Sequence, residues 1–217
     1  LPKFIAVKNG TPEHLDIIRA GYEKVLQARL ADADFFFRED IKKPLSDKVP
    51  ALKKVVFQES LGSIYDKVIR VGELADTLCK WLGAEEKERQ DTLRAAYLAK
   101  ADLVTNMVFE FPELQGIMGR EYAVRSGEGE SVATAIFEHY LPRYAGDRLP
   151  ETLPGKILSL ADKIDNIVGC FAIGIQPSGS QDPYALRRQA LGISHIILDS
   201  GIELSLDKLI ETAYRFY

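Results

Sequence analysis

The sequence predicts a mainly α-helical protein, and three observations support that fold class. Apolar residues recur at spacings of three and four along most of the chain after residue 50, which is the pattern of amphipathic helices. Glycine and proline clusters punctuate these stretches and indicate loops between helices. The 217 residues are 46% apolar and 28% charged, which is typical of a globular protein with its own hydrophobic core.

The first part of the chain has a different pattern from the rest. Residues 4–7 predict a short strand, and Thr11 can cap a helix that follows. The Lys-Lys-Pro-Leu segment at 42–45 breaks the helical pattern and resembles a linker. We therefore expect residues 1–45 to be the end of a preceding domain with its linker, and residues 46–217 to form a helical domain.

Apolar stripes predict the helices of that second part. The stripes run over residues 61–82, 132–140, 157–168 and 186–197. Gly83 provides a stop for the first stripe. Asp182-Pro183 offers a cap and then a proline at the first helical position, so we expect a helix to begin there. Ser205 can cap a last helix.

Composition limits the classes of function. The formal net charge of −4 argues against strong overall attraction to nucleic acid, so such a role would need a local basic face. The two cysteines, Cys79 and Cys170, lie in apolar stretches and are expected to be buried thiols in a reducing, cytoplasmic compartment. No apolar run approaches the ~20 residues of a membrane span, so we expect no membrane partner.

Motifs for common catalytic sites are absent from the sequence. The chain has three histidines and no Cys-x-x-Cys or His-x-x-x-His pair for a metal. The glycine-containing segment at 174–180 lacks the Lys-Ser/Thr pair of a phosphate-binding loop and is expected to be an ordinary loop.

Two aspartates in apolar surroundings, Asp102 and Asp162, raise the question of a buried site. A buried carboxylate is costly unless it is paired or ligates a metal. One interpretation is that both face solvent or pair with a nearby cation, such as Lys100, Lys163 or Arg70. The other is that they converge in the core.

The segments at 65–75, 98–103 and 160–165 resemble the HD superfamily of metal-dependent phosphohydrolases. That family holds a divalent metal with a first His, a His-Asp pair and a distant Asp. Here Lys67 and Ala101 stand where the two histidines would be, whereas Asp102 and Asp162 match the aspartates. The resemblance implies a degenerate site without metal, in which Lys67 could neutralise Asp102 and Asp162.

A longer resemblance covers nearly the whole chain. It rests on the segments at 29–37, 56–63, 100–119 (KADLVTNMVFEFPELQGIMG), 139–147 (HYLPRYAGD) and 182–192 (DPYALRRQALG). These are similar to the β subunit of two-subunit glycyl-tRNA synthetases, a family that contains an HD-like helical domain. Because β subunits of this family are considerably longer, the resemblance implies an internal piece without an aminoacylation site.

The resemblance also implies partners and cofactors. The family attaches glycine to tRNA(Gly) at the expense of ATP, as an α2β2 assembly. ATP and Mg are expected at the α subunit, and no cofactor is expected in this chain. The β subunit binds tRNA, and the candidate contacts here are Arg120, Arg143, Arg148, Arg187 and Arg188.

Other interpretations stay open at this point. The arginines could instead pair with Asp147, Glu151 or Asp182 and hold loops in place. The chain could be a working HD phosphohydrolase acting on nucleotides. It could also be a purely structural docking element, which the aromatic run at 35–37 favours because such a run would make an unstable exposed surface.

Overall fold

A computed structural model describes residues 3–11 and 13–217 and confirms the mainly α fold class. The α-helices are α1 (Leu15–Asp40), α2 (Ile64–Trp81), α3 (Glu86–Leu98), α4 (Asn106–Glu110), α5 (Ile117–Arg125), α6 (Glu130–Glu138), α7 (Leu153–Ala172), α8 (Leu186–Ser200) and α9 (Leu206–Tyr214). Short 3-10 helices span Leu45–Lys54, Ala101–Val104 and Pro112–Leu114. Strands β1 (Val56–Gln58) and β2 (Gly62–Ser63) form a small antiparallel hairpin.

Helix α7 lies at the centre of the bundle. It packs against α2, α3, α6, α8 and α9, and most of its length is buried. Ile157, Leu158, Leu160 and Ala161 are each fully buried, so successive positions around the helix face protein rather than solvent. A helix buried on all sides must also bury its polar residues. The candidate site lies at these buried polar residues of α7.

Residues close in sequence set both ends of helix α2. The Ser63 hydroxyl accepts from the Asp66 amide at 3.2 Å, and the Asp66 carboxylate accepts from the Ser63 amide at 2.8 Å, which makes a capping box. The predicted apolar stripe faces the core, and the helix ends before Gly83, whose φ of +65° suits glycine. The predicted stripe and stop are confirmed.

Several local predictions differ from the structure. Residues 3–9 form no strand, and α1 starts at Leu15 after His14 rather than directly after Thr11. Helix α8 starts at Leu186, because the chain first turns through Ala185 at a φ of +54°. The Asp182 carboxylate still accepts from the Leu186 and Arg187 amides, at 2.7 and 3.0 Å.

Helix α1 is the most exposed helix, and its end is tied to the bundle. The buried Asp40 carboxylate accepts from the amides of Asn106 and Met107 and from the Tyr122 hydroxyl, at 3.0, 2.9 and 3.0 Å. These bonds hold the last turn of α1 against α4 and α5. The division of the chain at residue 45 stays a prediction. Across residues 3–11 and 13–217, no helix is both long and apolar enough to cross a membrane.

Candidate functional site

Five charged side chains are buried together between α2, α7 and the end of α3. They are Lys67, Lys100, Asp162, Lys163 and Asp165, and none exposes more than 8% of its surface. Charges taken out of water are costly unless other groups replace the lost hydration. Their partners therefore define what the site can do.

Lys67 on α2 joins two aspartates of α7. Its Nζ lies 2.9 Å from Asp165 Oδ2 and 3.2 Å from Asp162 Oδ1, and it also donates to Asn166 Oδ1 at 2.8 Å. Burial alone would lower the pKa of Lys67, but the two carboxylates raise that pKa above its ordinary value. Asp165 also accepts from Arg70 Nε at 2.8 Å.

Lys100 provides the second cation for Asp162. Its Nζ lies 3.1 Å from Asp162 Oδ1, 2.8 Å from His139 Nε2 and 4.3 Å from the centre of the Tyr140 ring. Burial acts to raise the pKa of Asp162, but Lys100 and Lys67 outweigh it and hold that pKa well below its usual range. Burial and the Lys100 charge keep the pKa of His139 well below its ordinary value, so the ring is neutral and accepts from Lys100.

Lys163 is a buried cation whose partners are all neutral. Its Nζ donates to the Leu141 carbonyl at 2.8 Å, the His139 carbonyl at 3.2 Å and the Ser159 hydroxyl at 2.7 Å. Within the described chain, no carboxylate lies at ion-pair distance from it. Burial lowers the pKa of Lys163 to about 8, so the side chain remains a cation at neutral pH. The site therefore holds positive charge that its own carboxylates do not balance.

Asp102 lies apart from this cluster, contrary to the expectation that Lys67 neutralises it. The 3-10 turn at Ala101–Val104 directs Asp102 towards the start of α5, where Oδ2 accepts from the Gly116 and Gly119 amides at 2.7 and 3.2 Å. Its Oδ1 has no hydrogen-bond partner among the described residues. Burial raises the pKa of Asp102 to about 6. Besides Asp162, the carboxylate that pairs with Lys67 is Asp165, not Asp102.

A pocket of ≈ 470 Å³ opens onto the cluster. Its cationic lining residues are Lys67, Lys100, Lys163, Arg143 and Arg188, and its one carboxylate is Asp162. Its apolar and aromatic walls include Phe57, Leu103, Tyr140, Pro142 and Tyr184. A concave site with apolar walls and a few convergent polar groups is the usual form of a small-molecule site, and ~300–1,000 Å³ is the usual volume. The charges here favour an anion.

The donor set does not fit the divalent metal of the HD family. Lys67 places an ammonium group 3.2 Å from Asp162, and Ala101 is a buried residue without a ligand atom. In the part of the chain that the structure describes, no three His, Cys, Asp or Glu side chains converge on one point. Two carboxylates already paired with cations are a poor metal site.

The five predicted arginines do not form one continuous patch. Arg143 and Arg188 line the pocket, and Arg148 lies over the Phe137 ring, 4.8 Å from its centre. Arg143 also pairs with Asp147 at 3.0 Å. The other two arginines do not line the pocket. Arg120 pairs with Glu130 at 2.5 Å, and Arg187 donates to the Gly179 carbonyl at 2.8 Å.

Sequence reasoning missed Asp165. It named Lys100, Lys163 and Arg70 as possible partners of Asp102 or Asp162, and the structure pairs Lys100 with Asp162 but gives Lys163 only neutral partners. A signal was available in residues 157–165, where the charged residues are enclosed by apolar and small ones. A helix with almost no polar face has nowhere to expose its charges, so these residues pointed to a buried cluster. The sequence does not reveal which distant residues complete it.

Comparison with known proteins agrees with the resemblance seen in the sequence. The family model described as glycyl-tRNA synthetase beta subunit matches residues 1–217. The chain is 66% identical to a glycine–tRNA ligase beta subunit from Desulforamulus reducens, and 60% identical to one from Desulforudis audaxviator. All 217 residues are covered in both, but they span only 31% and 32% of those relatives. The chain therefore belongs to the glycyl-tRNA synthetase β-subunit family.

Proposed function

We propose that this chain is a tRNA-binding and assembly module of a glycine–tRNA ligase β subunit. In this proposal it supports the ATP-dependent attachment of glycine to tRNA(Gly) by a cytoplasmic α2β2 enzyme. ATP and Mg²⁺ bind at the α subunit, and this chain contributes no catalytic residue. The relatives' name, glycine–tRNA ligase beta subunit, supports the ligase context.

One observation carries the tRNA-binding part of the proposal. On a chain of net charge −4, Arg143 and Arg188 line one pocket, and Arg148 lies over the same Phe137 ring as Arg143. Arg143 and Arg148 both lie near the Phe137 ring, with guanidinium carbons 6.0 and 4.8 Å from its centre. A local cluster of arginines supplies the phosphate contacts on which nucleic-acid affinity mainly depends.

The test uses the full-length β subunit assembled with its α subunit. Arg143, Arg148 and Arg188 are replaced together by glutamine, and tRNA(Gly) affinity is measured at several salt concentrations. We expect weaker binding and a salt slope reduced by about one unit for each phosphate group that the variant no longer binds. The control is Arg94→Gln, because Arg94 is an exposed arginine on α3 that pairs with Glu128. Unchanged affinity and slope in the triple variant would contradict the proposal.

The exposed apolar surface of α1 favours the assembly part. Val25 and Leu30 expose 62% and 61% of their surface, and Phe35 exposes 57%, whereas Phe36 and Phe37 are half-buried. A helix with large apolar side chains in water is stabilised when another surface covers them. We assign that cover to the rest of the β subunit, since this chain spans about a third of its relatives' length. Val25→Glu with Leu30→Glu should then destabilise the full-length subunit far more than this chain alone. Equal effects in both would argue against such docking.

A further inference from the structure

A second concave surface, the α2–α3 groove, lies between α2, α3 and the turn after α9. It has a volume of ≈ 460 Å³ and shares no lining residue with the pocket at the charge cluster. Its apolar and aromatic lining includes Ile69, Leu93, Tyr97 and Phe216. Ile69 exposes 42% of its surface, although it lies on a helix that is otherwise well packed. Exposed apolar surface in a concave site is typical of a place where another protein segment binds.

Gly72 lies in the middle of α2 and lines this groove. After proline, glycine is the least favourable residue in a helix interior. Other helical glycines are required by packing: a Cβ on Gly169 would lie 2.6 Å from Tyr217 Oη, and one on Gly119 would lie 2.9 Å from Ile136 Cγ2. A Cβ on Gly72 would meet no atom of the described residues within 4 Å, apart from its neighbours along the helix. Packing within this chain therefore does not require this glycine, whereas a partner whose backbone closely approaches α2 would require it.

The charged residues that line the groove are both acidic, Glu73 and Asp76. Asp76 already pairs with Lys80 and Arg89, at 2.6 Å each. Glu73 is exposed and has no ion-pair partner among the described residues. Protein interfaces commonly combine an apolar centre with a polar rim. A lysine or arginine of the partner can therefore pair with Glu73 at the edge of the apolar contact.

We propose that the α2–α3 groove docks an amphipathic helix from the part of the β subunit that lies outside these 217 residues. The backbone of that helix approaches Gly72, and a lysine or arginine on it pairs with Glu73. The chain spans only 31% of a relative's length, so most of such a subunit is available to supply the helix. Amphipathic helices bind apolar grooves through side chains spaced three and four residues apart. The inference rests on the proposed assembly role, but it concerns a different face from α1 and is tested by different variants.

Cysteine labelling compares the 217-residue chain with the full-length β subunit. Thr77→Cys places a thiol in the groove and leaves Gly72 and Glu73 intact, and mass spectrometry then measures how fast a maleimide reacts at residue 77. A docked helix must open before the reagent reaches this thiol, so we expect labelling about tenfold or more slower in the full-length subunit. Ser194→Cys is the matched control, because Ser194 is an exposed hydroxyl residue on α8 outside the groove. Its labelling rate should be similar in both proteins.

Two further variants, each combined with Thr77→Cys, identify what covers the groove. Gly72→Leu should restore fast labelling in the full-length subunit, because its side chain blocks the close approach. The 217-residue chain carrying Gly72→Leu should unfold at the same or a higher temperature than its parent, since leucine is the better helix former. Glu73→Lys should also speed labelling in the full-length subunit, because it repels a basic residue of the docked helix.

Three outcomes would overturn the inference. Equal protection at residues 77 and 194 would indicate general shielding rather than a docked helix. Protection that Gly72→Leu leaves unchanged would remove the close approach at α2. Protection that appears only after the α subunit is added would assign the groove to that subunit instead.

Discussion

Asp162 and Asp102 are both buried carboxylates of one core, but they are stabilised by different groups. Asp162 lies between the ammonium groups of Lys67 and Lys100, at 3.2 and 3.1 Å. Asp102 has two backbone amides at Oδ2. Among the described residues neither Asp102 Oδ1 nor Asp162 Oδ1 has a hydrogen-bond partner, so the ion pairs of Asp162 are what distinguish it. The pKa values move in opposite directions: cations hold that of Asp162 well below its usual range, and burial raises that of Asp102 to about 6.

The difference shows which groups can replace water around a buried carboxylate. Full positive charges overcome the cost of burial, whereas two amide dipoles reduce it without removing it. At pH values above the ordinary aspartate pKa, the ion pairs of Asp162 therefore stabilise the folded state. This stability is lost as acid protonates the Asp162 carboxylate. Asp102 has the opposite linkage, because its folded form is more stable when protonated.

The largest expected effect comes from removing the central cation. Lys67→Met leaves Asp165 with Arg70 but deprives both Asp162 and Asp165 of an ammonium group, so we expect a loss of about 3–5 kcal/mol in the free energy of unfolding. Urea denaturation at pH 7 measures it. Lys80→Met on the same helix is the control, because Lys80 is an exposed partner of Asp76, and its loss should cost less than about 1 kcal/mol. Similar losses in the two variants would contradict the role of Lys67.

A smaller loss of stability is expected from a substitution at Gly116, whose backbone amide donates to Asp102. Gly116 has a φ of +78°, and a Cβ there would lie 2.5 Å from Tyr140 Cδ2, so Gly116→Ala should displace the amide that binds Asp102. We expect a loss of roughly 2–4 kcal/mol from backbone strain and crowding together. Gly127→Ala is the matched control, since Gly127 has a φ of +85° with nothing within 4 Å of the added carbon. If both alanine variants lost equal stability in thermal unfolding, contact with Tyr140 would not matter.

The smallest expected change in stability comes from removing the charge of Asp102. The pKa of Asp102 is about 6 in the fold, above the ordinary value of 3.8, so the folded state binds more protons between these values. Stability from this group is therefore present at low pH and falls as pH rises through that window. Asp102→Asn removes the dependence, and its stability relative to the parent should increase by roughly 1–2 kcal/mol from pH 5 to pH 7.5.

Comparison of the two chains at each pH cancels the contribution of His139, whose pKa burial and Lys100 hold well below its ordinary value in the fold. Denaturant unfolding at four or five pH values provides the measurement. A constant difference between Asp102→Asn and the parent across that range would show that Asp102 is not perturbed by burial.

The helices and the unusual character of α7 were predictable from sequence. Stripes such as Val68, Val71 and Leu78 follow from local periodicity, and caps such as Ser205 depend on residues within one turn. The start of α8 was less predictable, because Asp182 caps amides four and five residues later, after a turn with positive φ. The resemblance of the segments at 65–75 and 160–165 to the HD superfamily also predicted Lys67 and Asp162 as members of one site.

The partners of those two residues were decided only by tertiary structure. Periodicity shows that a charge is enclosed, but it does not show which distant side chain meets it. Lys67 and Asp165 are separated by 98 positions, and Lys100 and His139 by 39. The 3-10 turn that carries Asp102 away from Lys67 packs against α5. Sequence by itself determined most of the helices and the family, and it left open whether Asp102 and Asp162 were buried. Packing of α7 among its neighbours decided which charges meet, because long-range contacts leave no local pattern in the chain.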